Sequence, residues 1–134
     1  MLITRECDYA VRVLRAMAGA ERVSVNEICE KELITAPFAY KILKKLQKSG
    51  LVRGYRGVHG GYSLNCDLDK VTLYDVYTTI DPELFIIDCL EPGYNCGRNG
   101  ADGQTCSVHC ELKEIQEELC RMLKRKSLEK LING

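Results

Sequence analysis

The stretch Thr35-Ala-Pro37-Phe-Ala39-Tyr40-Lys41-Ile42-Leu43-Lys44-Lys45-Leu46-Gln-Lys48-Ser-Gly50-Leu51-Val52-Arg53-Gly54-Tyr55-Arg56-Gly57-Val58-His59-Gly60-Gly61-Tyr62-Ser63-Leu64 decides the fold. Its first half places Ala39, Ile42, Leu43 and Leu46 at helical spacing, with Thr35 as a cap, Pro37 tolerated in the first turn and Gly50 as a stop. Tyr40, Lys41, Lys44 and Lys48 fall on the opposite face. The second half reads as two strands, Leu51–Tyr55 and Gly61–Leu64, around a glycine-rich loop with Arg56 and His59 at its tip. A basic helix is followed directly by a cation-tipped hairpin.

Upstream, Ser24 and Glu27 form a capping box opening a short helix through Val25, Ile28 and Cys29 that ends near Glu32. A brief Leu33-Ile34 connection leads to Thr35. Short helix, tight turn and basic helix make a helix-turn-helix, and the hairpin after it makes a wing. Before this unit, Thr4 caps a helix carrying Ala10, Val13, Leu14 and Met17, which Gly19 stops. After it, Thr72 and Asp75 form a second capping box, for a helix with Leu73, Val76, Tyr77 and Ile80, ended by Asp81-Pro82. The predicted fold is mainly α with a small β wing: a winged helix-turn-helix with a long C-terminal dimerisation helix.

Charge sharpens this reading. The chain is formally neutral, yet residues 35–62 carry six lysines and arginines and no carboxylate, whereas residues 63–91 carry seven carboxylates against Lys70 alone. A dipolar molecule with one phosphate-seeking face follows. Lysines on a solvated helix face are the plain alternative, as is an ordinary exposed turn arginine for Arg56; the wing beside the helix favours double-stranded DNA. The helix would then enter the major groove and Arg56 the adjacent minor groove.

Eight cysteines are present, and those from Cys89 to Cys110 sit in a loop interrupted by Pro92, Gly93, Gly97, Gly100 and Gly103. Thiolate sulfur is the ligand of zinc and iron–sulfur sites. The first residues lack a basic, then apolar, secretion signal, so reduced cytoplasmic thiols are expected. Cys89, Cys96, Cys106 and His109 could also form a tetrahedral zinc site, and Cys96, Cys106 and Cys110 a thiol-disulfide switch. Cys29, Cys66 and Cys120 read as small packing residues.

Beyond the loop, Val108, Leu112, Ile115, Leu119 and Met122 recur at alternating four- and three-residue spacing, the seam of a helix packed along a partner. A homodimer through Leu112, Ile115, Leu119 and Met122 is the natural use; packing on its own domain is the alternative. A last short helix begins at Ser127. The expected divisions are residues 1–81 for DNA binding, 82–106 for the cysteine-rich loop and 107–134 for dimerisation. No apolar run approaches the length of a membrane span, about 18 residues. An enzyme is disfavoured: the two histidines have no nucleophile and orienting acid in evident company, and no phosphate-cradling Gly-Lys motif occurs. A winged-helix interaction protein with a structural zinc site is the rival class.

Taken together, Asp8-Tyr9-Ala10-Val11, the run Leu43 to Val52, the wing Arg56-Gly57-Val58-His59-Gly60-Gly61-Tyr62, the cysteine loop and Ser127-Leu128 resemble the IscR and NsrR type of winged-helix, iron–sulfur transcriptional regulators over nearly the whole chain. The resemblance implies a homodimer on a palindromic operator, with Thr35, Pro37, Tyr40 and Lys41 placed to meet bases and phosphates and Arg56 in the minor groove. It further implies Cys89, Cys96 and Cys106 as cluster ligands, with a fourth from His109, as in IscR, or from Asp8 of the opposite protomer, as in NsrR-type proteins. Either a 2Fe-2S or a 4Fe-4S cluster is compatible. The chain departs from the pattern at Tyr40 and Lys41, which replace a Glu-Gln pair of IscR, and in its longer ligand loop, with nine residues between Cys96 and Cys106.

Overall fold

A computed structural model describes residues 3–97 and 106–134. The order is α1 (Arg5–Met17), α2 (Val25–Glu32), α3 (Ala36–Ser49), β1 (Val52–Tyr55), β2 (Gly61–Leu64), α4 (Leu73–Ile80), one 3-10 turn (Asp88–Leu90), α5 (Ser107–Leu123) and α6 (Leu128–Asn133). The molecule is mostly helical with a two-stranded antiparallel wing, a winged helix-turn-helix as the sequence predicts.

Local chemistry sets the helix boundaries. The Thr4 side chain accepts from the Cys7 backbone N–H, and both capping boxes form, Ser24 with Glu27 and Thr72 with Asp75. Thr35 occupies the cap position of α3 without a side-chain hydrogen bond. Pro37 sits in the first turn, where its missing N–H leaves no intrahelical bond unmade. Leu33 makes the turn between α2 and α3 in the left-handed region, with φ of 55°. A residue with a Cβ is strained there by about 1 kcal/mol, offset by the packing of the two helices it joins.

Helices α1, α3 and α4 meet around a core whose fully buried side chains include Leu14, Met17, Ile42, Leu43, Leu46 and Val76, with Ile28 from α2 and Val52 from β1. The strands pair Val52 with Leu64 and Tyr55 with Gly61. Val23, just before α2, bridges Tyr62 through two hydrogen bonds: its N–H donates at 2.8 Å and its carbonyl accepts at 2.7 Å. The chain end returns to this core. Leu128 is fully buried, its N–H donating to the Val71 carbonyl at 2.7 Å, and Leu123 at the end of α5 is buried as well.

The remainder of α5 stands apart. It starts from Cys106 as cap residue; Gly100 and Gly103 of the loop lie outside the described residues. Val108, Ile115 and Met122 are 64%, 47% and 51% exposed, and Leu112 and Leu119 are half-buried. Among the described residues, no helix is long and apolar enough to cross a membrane.

Candidate functional site

Two regions carry the chemistry. The first is the outer face of α3 with the wing. Thr35, Pro37, Tyr40, Lys41, Lys44, Lys48 and Arg56 are all exposed, and the fold gathers α3 and the wing on one side. A groove of about 320 Å³ runs between them, lined by Asn26, Tyr40, Tyr55, Val58 and Tyr62 among others.

The lysines are not equivalent. Glu6 of α1 reaches across to α3 and forms ion pairs with Lys41 at 2.7 Å and Lys45 at 2.9 Å. These two ammonium groups, Lys41 first, hold the Glu6 carboxyl below the usual carboxylate range. Lys45 also donates to the Ile80 carbonyl. Among the described residues, Lys44 and Lys48 have no carboxylate partner, so their charge is fully available to phosphate. Lys41, though engaged, keeps a largely exposed side chain that phosphate could draw away from Glu6.

On the wing, the Tyr55 hydroxyl meets Ser63 Oγ at 3.1 Å, a bond that pulls the phenol below its ordinary range, with Arg53 and Arg22 adding to the effect. Arg22 lies with its guanidinium 3.6 Å from the centre of the Tyr55 ring and donates to the His59 carbonyl. Sequence reading passed over Arg22. A lone arginine before a capping box has no periodicity or motif to mark it.

The second region is the junction of the cysteine loop with α5. The Cys89 thiol lies 3.3 Å from Nδ1 of His109, joining the 3-10 turn to the first turn of α5. Both line a cavity of about 360 Å³ with Tyr94, Lys113, Gln116 and Glu117. Gln116 fixes the loop by accepting the Ile86 N–H at 2.9 Å. Cys96 and Cys106 are half-buried, and Cys110 is exposed. Among the described residues, no three His, Cys, Asp or Glu side chains converge closely enough to hold a metal ion. Asp8 is on α1, where Arg12 pairs with it at 3.0 Å. Of the five residues proposed from sequence as ligands, the structure brings Cys89 and His109 into contact. Cys29 packs beside the core, Cys120 is half-buried, and burial pushes the Cys66 thiol up, as a packing residue requires.

A recognition helix beside a hairpin, both offering cations from one face of a small helical core, defines a winged-helix DNA-binding protein. The chain belongs to the Rrf2 family, described as iron-dependent transcriptional regulators, which it matches over residues 3–134. It is 33% identical over 110 residues to protein aau3 of Rhizobium meliloti (strain 1021), covering 75% of this chain and 71% of that one. It is 27% identical to the HTH-type transcriptional regulator IscR of Photorhabdus laumondii subsp. laumondii, covering 100% of this chain and 80% of that one. Its fold superposes on the structure of CymR, the global cysteine regulator of B. subtilis, with a TM-score of 0.76 at 18% identity, covering 99% and 97% of the two chains. The chain is therefore a DNA-binding transcriptional regulator. The IscR relative and the CymR structure are those of regulators.

Proposed function

We propose that this regulator is a cytoplasmic homodimer whose affinity for a palindromic operator is set by an iron–sulfur cluster at the cysteine loop. The observation that carries the proposal is the Cys89–His109 contact at 3.3 Å, which puts a thiol and an imidazole on one cavity at the base of α5. Those donors fit: thiolate and imidazole are the ligands of such clusters, with Cys96 and Cys106 completing the sulfur set. Either His109 or the partner subunit's Asp8 would supply the fourth ligand. When bound, such a cluster supplies an oxidation-sensitive crosslink among thiolates.

The chain's own residues then do the coupling. Cys89 sits on the turn against α5, and α5 touches α4, which packs on α1 and α3. A shift of the Cys89 loop therefore reaches the recognition helix through packed elements. In the proposed dimer, Leu112, Ile115, Leu119 and Met122 pair the two α5 helices, and Val108 extends the seam. Two recognition helices joined in this way must meet half-sites one helical turn, about 34 Å, or a multiple of it apart, so a small change in their separation lowers affinity. Thr35, Pro37, Tyr40 and Lys41 face the groove, Lys44 and Lys48 the backbone, and Arg56 the minor groove. Residues 1–81, 82–106 and 107–134 thus divide into reading, sensing and dimerising segments. The IscR relative supports the cluster reading; the same donors also suit structural zinc.

The test is purification without oxygen, followed by iron, sulfide and zinc analysis and operator binding before and after metal removal. A coloured protein with matched iron and sulfide is expected, with affinities differing at least about tenfold between filled and emptied forms, as a coupling of a few kcal/mol gives. A colourless zinc protein refutes the cluster. Equal affinities refute the switch. Spectra of Asp8→Ala and His109→Ala assign the fourth ligand.

A further inference from the structure

We infer that Arg22 is a positioning residue for DNA recognition: it clamps the wing so that Arg56 is presented in one fixed orientation. The inference rests on the reading of the wing as a DNA contact. A hairpin of two four-residue strands is marginal by itself, and its tip, residues 56–60, lies beyond those strands. Gly57 turns that tip at φ of 92°, and the Gly60 N–H closes it onto the Gly57 carbonyl at 2.9 Å. Neither feature ties the tip to the helices.

Arg22 does. It precedes Val23, whose bridge to Tyr62 adds one residue of a third strand beside β2. From there its side chain crosses the hairpin to both ends of the tip, stacking on Tyr55 and donating from Nη1 to the His59 carbonyl. Arg56 follows Tyr55 directly, so the tip residue proposed to enter the minor groove lies between two clamped points. The path is made by a missing side chain: a Cβ on Gly61 would lie 2.7 Å from the Val23 carbonyl oxygen and 3.2 Å from Cγ of Arg22. Gly61 therefore admits the bridge and the arginine stem together. A guanidinium is suited to this place because it lies over the ring while its N–H groups still reach a carbonyl, and a planar group can do both where an ammonium keeps only the charge. A tip ordered before binding avoids the entropy cost of ordering on DNA.

The rival is that Arg22 is another cation facing phosphate. To separate the two, the full-length protein first recovers a duplex from a random-sequence library, and that duplex and a scrambled one serve as probes. Arg22→Lys is expected to weaken binding to the recovered duplex about three- to tenfold at unchanged salt slope. Binding to the scrambled duplex should stay the same. Added to Arg56→Ala, it should cause no further loss, and amide exchange of residues 57–60 in DNA-free protein should rise. Wild-type binding and exchange in Arg22→Lys would overturn the proposal. So would losses that multiply with Arg56→Ala, since Arg22 would then be an independent contact. If Arg56→Ala alone binds normally, the wing reading itself fails and takes the proposal with it.

Discussion

Helices α1, α3 and α4 sink their apolar stripes into a common core, where Leu14, Leu43, Leu46 and Val76 are fully buried; α5, longer than any of them, buries Leu123 alone. Both regions are amphipathic, so composition does not separate them. What differs is where the apolar face finds its cover. The DNA-reading unit closes on itself, whereas α5 leaves Val108, Ile115 and Met122 facing outward, and its first turn contacts the loop through Cys89 and His109. The part that reads DNA covers its apolar stripes within one chain, and the part proposed to sense leaves an apolar face open, which the proposed dimer would cover.

The largest effect expected from this contrast is in the core. Leu46→Ala should cost about 2–5 kcal/mol, because the cavity left in a fully packed site relaxes only in part. Chemical denaturation should show that loss at every protein concentration. Next comes the seam. Ile115→Asp with Met122→Asp should leave the fold of the winged unit intact by circular dichroism yet shift sedimentation to the monomer. A protein that is monomeric before substitution would break the comparison, since α5 would then need no cover. The smallest effect is on the reading face: Lys44→Ala should lower the salt slope of DNA binding by about one unit, and Lys45→Ala by less, because Glu6 and the Ile80 carbonyl already engage that ammonium. Equal slopes for the two would mean that the Glu6 pairs give way on DNA.

Much of this architecture was legible in the residues because its determinants are local. The boxes Ser24–Glu27 and Thr72–Asp75 and the two strands around the glycine-rich loop act within a few positions of themselves, and each forms as its pattern requires. The family resemblance likewise agrees with the match over residues 3–134. Contacts distant in the chain were illegible. Nothing near Glu6 announces that it will neutralise lysines 35 and 39 residues away, and nothing near Arg22 announces its reach to His59, 37 residues on. The cysteine loop lies between these cases: its donor chemistry is plain from composition, and the meeting of Cys89 with His109 depends on how the 3-10 turn folds back on α5. Thr35 takes its expected cap position, without the side-chain bond that Thr4, Ser24 and Thr72 make.

The return of the chain after α5 has a mechanical consequence. Leu123 and Leu128 pin the far end of the helix, and the Thr72–Ser127 bridge holds the chain beside it. A rod of 17 residues, about 25 Å long, is thereby a lever with its pivot at the carboxyl end. Displacing its amino-terminal end, which His109 and Gln116 join to the loop, by about 1 Å turns the rod through about 2°, so a modest pull at Cys106 becomes rotation rather than sliding.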